Sequence, residues 1–133
     1  MTHSKILVVE EDNNLRRSMA LILQHAGYFV AATGNSHEAS EWIQSGKYHL
    51  IIMDTLMTDT NRILLPKVLG YYPDLSIVIL SDRPIPEVDN ETKPLGARYL
   101  IKPIAPEFLL DCVKTLLGQK QDFDPNGNRV NIQ

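Results

Sequence analysis

Residues 5–12 read Lys5-Ile6-Leu7-Val8-Val9-Glu10-Glu11-Asp12, an unbroken aliphatic run that ends in three acids. A strand with one wet face alternates apolar and polar residues, whereas Ile, Leu and Val without a polar break read as a strand buried on both faces. Four more apolar runs follow, Tyr28 to Ala32, Leu50 to Met53, Ile77 to Leu80 and Tyr99 to Ile101, and three of the five are continuous. This pattern predicts an α/β fold in which a parallel sheet is covered by helices on each side.

The segments between the runs carry helical spacing. Leu15, Met19, Ile22, Leu23 and Ala26 recur behind the candidate N-caps Asn13 and Asn14, and Gly27 is placed to end that helix. Asn35 and Glu38 form a variant capping box ahead of Ala39, Trp42 and Ile43, with Gly46 as the stop. Pro106 suits a first helical position before Leu109, Val113, Leu116 and Leu117, and Gly118 reads as the terminator. Pro66 confines a third helix to a short one, and Pro84, Pro86 and Pro94 predict an irregular fourth segment. The pattern sets one domain over residues 1–118 and a flexible polar tail or linker over 119–133.

Composition narrows the function classes. A chain of 133 residues, 44% hydrophobic and 22% charged, suits one core and leaves none over for a second. The 13 basic and 16 acidic side chains give a formal charge of -3, with no Lys/Arg cluster wide enough to track a phosphate backbone, so direct nucleic-acid binding is not expected. No run approaches membrane-spanning length, and Met1 to Lys5 lead into a strand pattern rather than a signal peptide, so a cytoplasmic location is expected. Cys112 has no internal disulfide partner and sits in an apolar helical stripe, where a small buried hydrophobe is its plainest role.

In an open α/β sheet, binding residues gather beyond the carboxyl ends of the strands. Those positions hold Glu10, Glu11 and Asp12 after the first run, Asp54 after the third, Ser81 and Asp82 after the fourth, and Lys102-Pro103 after the fifth. Taken alone, each is most simply a solvated surface group. Together, Ile6 to Glu11, Ile51-Ile52-Met53-Asp54, Ile79-Leu80-Ser81 and Tyr99-Leu100-Ile101-Lys102-Pro103 resemble the receiver domain of two-component response regulators, over about residues 4–118.

The resemblance implies a flavodoxin-like doubly wound sheet of five parallel strands in the order 2-1-3-4-5. It implies that Asp54 accepts a phosphoryl group from a histidine kinase or phosphotransfer protein. It further implies Mg2+ held by Glu10, Glu11, Asp54 and the main-chain carbonyl of Leu56. Lys102 and Ser81 would bind phosphoryl oxygens, and Ser81 with Tyr99 would move as the switch. A cis bond before Pro103 belongs to the same pattern. The protein would then be a signalling domain rather than an enzyme, acting on a downstream protein or an output domain outside this chain, with a homodimer open.

The chain departs from the family pattern in places. Glu11 stands where an aspartate is usual, longer by roughly 1.5 Å. Thr58 and Arg62 replace a proline and a glycine, and Asp82 replaces a small residue. These changes keep open an alternative, a pseudo-receiver that signals without phosphorylation. A flavodoxin-like enzyme or nucleotide binder has no support, because neither GxGxxG nor GxxxxGK occurs.

Overall fold

A computed structural model describes residues 4–54, 71–82 and 98–121, with side chains of the last run to Gly118. The elements are β1 (Lys5–Val9), α1 (Asn13–His25), β2 (Phe29–Thr33), α2 (Ser36–Ser45), β3 (Leu50–Asp54), β4 (Ser76–Ser81), β5 (Arg98–Ile101) and α3 (Pro106–Gln121). The five strands form one sheet in the order β2-β1-β3-β4-β5, every neighbouring pair parallel. This is the expected doubly wound topology. The short third helix and the irregular fourth segment expected around Pro66 and Pro84 to Pro94 lie outside the described residues, as does most of the tail. Among the described residues no helix is long and apolar enough to cross a membrane.

Strand geometry explains the unbroken aliphatic runs. Successive side chains point to opposite faces, so a strand covered on both sides needs apolar residues at every position. Ile6 and Val8 of β1, with Leu50 and Ile52 of β3 and Val78 and Leu80 of β4, pack against Met19 and Leu23 of α1 and Leu109, Val113, Leu116 and Leu117 of α3. The alternate residues Leu7, Val9, Ile51, Met53, Ile77 and Ile79 pack on the other face against Ala39 and Ile43 of α2. β3 and β4 are buried throughout, whereas the edge strands β2 and β5 are partly open.

Several element ends differ from expectation. α1 is capped by Asp12, not Asn13 or Asn14: its carboxylate accepts from the N–H groups of Asn14 and Leu15 at 2.9 and 3.0 Å. Asp12 is one residue earlier and anionic, which suits the positive end of the helix. The other end closes as expected. Gly27, at φ +100, donates its N–H to Gln24, and Tyr28 N–H donates to Leu23, a left-handed cap that glycine adopts without strain.

At α2, Asn35 Oδ1 accepts from Glu38 N–H at 3.0 Å, but Glu38 does not return the bond to the Asn35 backbone. Its carboxylate accepts from the Thr33 hydroxyl at 2.7 Å, and Thr33 Oγ1 in turn accepts from Asn35 N–H. Thr33 therefore completes the box. Gly118 does not stop α3, which continues to Gln121. A glycine inside a helix costs only about 1 kcal/mol, too little to end one that packs through Val113, Leu116 and Leu117.

Candidate functional site

The parallel order brings the carboxyl ends of β1, β3, β4 and β5 to one edge of the sheet, and Asp54 and Ser81 are the last residues of their strands. Pairing holds Asp54 opposite Leu80, and Ser81 opposite Ile101. Lys102 follows β5 directly; its N–H donates to the Ser81 carbonyl at 2.7 Å, which extends the ladder by one step. The Lys102–Pro103 peptide bond is cis, as the resemblance implied.

At this edge three charged groups meet. Lys102 Nζ donates to Glu10 Oε1 at 2.8 Å and to Asp54 Oδ2 at 2.9 Å. Glu10 is 1% exposed and Asp54 5% exposed, so water does little to screen them. Glu10 Oε2 also accepts from the Asp12 N–H at 3.1 Å. Burial raises the Glu10 carboxyl above its ordinary value; the Lys102 and Asp12 bonds pull it down, and neighbouring Asp54 raises it again. Burial acts to lower the Lys102 ammonium, but bonds and Coulombic attraction from the two carboxylates outweigh it, and the net shift is upward. The lysine stays charged.

The other expected residues are placed less uniformly. Ser81 is fully buried beside this cluster, at the end of β4. Tyr99 is partly buried on the α2 face of the sheet. Glu11 is exposed, and its carboxylate has no partner among the described residues. Asp82 is exposed too. It lines a mainly apolar cleft of about 340 Å³ with Leu15, Met19, Lys102, Pro103 and Ile104. Leu56, Thr58 and Arg62 lie outside the described residues.

The donor set suits a hard divalent cation in type. Two buried carboxylates share one ammonium, which leaves excess negative charge, and oxygen donors are what Mg2+ selects. In this conformation, however, among the described residues no three acids converge on one point. Glu10 and Asp54 meet on Lys102, while Glu11, one bond longer than aspartate, is exposed.

Sequence reasoning passed over Arg16. Its guanidinium donates to the Glu10 carbonyl at 2.8 Å and to the Glu11 carbonyl at 3.3 Å, and also to Asn13 Oδ1. A basic residue one turn into the helix that follows an acid-rich loop was the available signal. Asp12, grouped with the site acids on sequence, is instead the cap of α1.

Comparison with known proteins agrees with this layout. The family model of the response regulator receiver domain matches residues 6–114. The DNA-binding transcriptional regulator NtrC of Bradyrhizobium is 30% identical over 124 residues, covering 92% of this chain and 26% of its own length, so the chain spans about a quarter of that relative. The response regulator receiver protein CpdR of Brucella abortus is 28% identical over 115 residues, which cover 85% of this chain and 96% of CpdR. The crystal structure of the response regulator TrrA from Thermotoga maritima, in complex with Mg2+ and BeF, superposes with a TM-score of 0.76 at 26% identity, covering 85% of this chain and 98% of that one.

Proposed function

Because this chain belongs to the response regulator receiver domain family of two-component signalling, we propose that Asp54 accepts a phosphoryl group from a histidine kinase or phosphotransfer protein and that the resulting change of surface is the signal. The observation that carries this reading is Lys102 Nζ held 2.9 Å from Asp54 Oδ2 at the sheet edge, a fixed cation beside a nucleophilic carboxylate. An Asp54 oxygen attacks phosphorus, the P–N bond to the donor histidine breaks, and the electron pair stays on the imidazole, which takes up a proton. The product is an acyl phosphate on Asp54.

Lys102 turns from carboxylate oxygen to phosphoryl oxygen in this step and neutralises part of the incoming charge. The Ser81 hydroxyl donates to a second phosphoryl oxygen, and Tyr99 follows the displaced end of β4; a local charge event thus biases a two-state element. Glu10, Glu11, Asp54 and the Leu56 carbonyl are the residues that would hold Mg2+, which when bound neutralises the acids and the transferred oxygens. The similar structure in complex with Mg2+ and BeF supports Mg2+ as the ion. Hydrolysis of the acyl phosphate by water resets the domain, so its catalysis is confined to its own phosphorylation cycle.

In this reading residues 1–118 are the receiver and 119–133 a tail or linker to a partner. That partner is a downstream protein, an output domain or a second copy of the chain, and the setting is the cytoplasm. One observation favours a second reading, the pseudo-receiver: Glu11 is exposed, and among the described residues no three acids converge. Intact mass and amide NMR with Mg2+ plus acetyl phosphate, or beryllofluoride, on wild type and Asp54→Ala separate the two. A phosphate adduct and shifts that reach Ser81 and Tyr99, both lost in the variant, are the expected result. Neither adduct nor shifts in wild type would leave the pseudo-receiver.

A further inference from the structure

The loop after β1 carries Glu10 and Glu11, and two residues outside it set its shape. Arg16 reaches back from the first turn of α1 and donates to the main-chain carbonyls of Glu10, at 2.8 Å, and Glu11, at 3.3 Å, on either side of the Glu11 Cα. Its second nitrogen bonds the Asn13 side chain. The guanidinium lies against the backbone of Gly34, just beyond β2. A Cβ on Gly34 would come 2.6 Å from Arg16 Nη1, closer than side-chain carbons approach any heavy atom, and only 3.4 Å from the Glu10 carbonyl oxygen.

Gly34 has no left-handed backbone to require glycine; Gly27 is the glycine with positive φ among the described residues. Space is the remaining reason for a glycine at this point. β1 and β2 are neighbours, with Val9 paired to Thr33, and Glu10 N–H donates to the Thr33 carbonyl at 3.0 Å, so the two loops leave the sheet side by side. We infer that Arg16 and Gly34 form one lock: the missing Cβ makes the seat, the planar guanidinium fills it, and the main chain on both sides of Glu11 is thereby fixed. Arg16 is a positioning residue, which sets the direction in which the Glu11 carboxylate leaves the loop. Its part in metal binding rests on the receiver reading; the lock itself does not.

Two variants test the lock while keeping the charge. Arg16→Lys retains the cation but loses the fork that spans two carbonyls. Gly34→Ala retains Arg16 and evicts its guanidinium, and because the displaced atom is the end of a flexible side chain the fold itself is little disturbed. Amide hydrogen exchange of Asp12, whose N–H the Glu10 carboxylate holds at 3.1 Å, followed by NMR in metal-free protein, is expected to quicken several-fold in each variant. The double variant should exchange no faster than the faster single one, as it must if both changes break one interaction.

Wild-type exchange in Gly34→Ala, or effects that add, would overturn the inference, and a urea midpoint near wild type for Gly34→Ala separates loss of the lock from general unfolding. Mg2+ titration of the same proteins is expected to show several-fold weaker binding in both variants, and unchanged affinity would overturn the positioning role. A wild type that binds no Mg2+ would sink the receiver reading alone, since the exchange rates still decide the lock.

Discussion

Lys102 and Glu10 stand 92 residues apart in the chain and 2.8 Å apart in space, with the Glu10 carboxylate almost wholly buried. Lys102 bonds Asp54 as well, so one ammonium serves two acids drawn from different strand ends.

Loss of the ammonium exposes the conflict between the acids. Lys102→Met leaves Glu10 and Asp54 face to face, and removal of one partner from a buried ion pair costs about 3 kcal/mol. The loss depends on pH. Burial and Asp54 already hold the Glu10 carboxyl above its ordinary value, and without Lys102 it rises further. A carboxyl raised in the folded state binds its proton better there than in the unfolded chain. The stability it contributes is full below the unfolded value and is lost as pH rises through the folded one. Urea midpoints are therefore expected to show a smaller deficit near about pH 5 than near about pH 8; an equal deficit at both would contradict this.

Removal of the other charge has the opposite sign. Asp54→Asn keeps the shape of the side chain and leaves Lys102 paired with Glu10 alone. With Asp54 neutral, the like charge that raises the Glu10 carboxyl is gone, and the folded protein should gain stability at neutral pH. Chemical denaturation at low salt reads the gain, and a loss of stability would refute it.

Gly27 and Gly34 are glycines for different reasons, and stability measurements should part them. No atom lies within 4 Å of a Cβ on Gly27, but its φ of +100 strains any other residue. Gly27→Ala is therefore expected to cost about 1 kcal/mol through backbone strain alone. Gly34→Ala should leave the urea midpoint close to wild type, and the reverse ranking would count against both assignments.

Cys112 is half-buried, and burial raises its thiol above the ordinary value despite the nearby Arg98 charge. The thiolate is the reactive form, so iodoacetamide should label the folded protein more slowly than the protein in urea. Intact mass against time gives both rates; equal labelling would show that the thiol is open.

The sheet was legible because its code is redundant. Unbroken runs such as Leu7-Val8-Val9 need cover on both faces, and the two packed clusters supply it. Asp54 and Ser81 were legible because they close buried strands, and Lys102 because it follows an apolar run directly and precedes Pro103. What escaped depends on direction rather than identity. Asn13, Asn14 and Asp12 are all good caps by type, and only the path of the chain selects Asp12. Glu38 turns to Thr33 because Thr33, at the end of β2, lies within reach of its carboxylate. Arg16 bonds main-chain carbonyls, which carry no residue letter.

The clasp of Lys102 on two carboxylates also bears on selectivity. A lysine in open solvent would greet any passing anion, but this one already holds two bonds at 2.8 and 2.9 Å. An arriving anion gains only the difference between the new contact and the old. Free phosphate and sulfate offer the ammonium no more than the two carboxylates already give, and the acids they would displace repel them. In the proposed reading a phosphoryl group joined to Asp54 would be tethered beside the ammonium and win it by proximity, so the resting clasp would act as a filter against the ions of the surrounding solution.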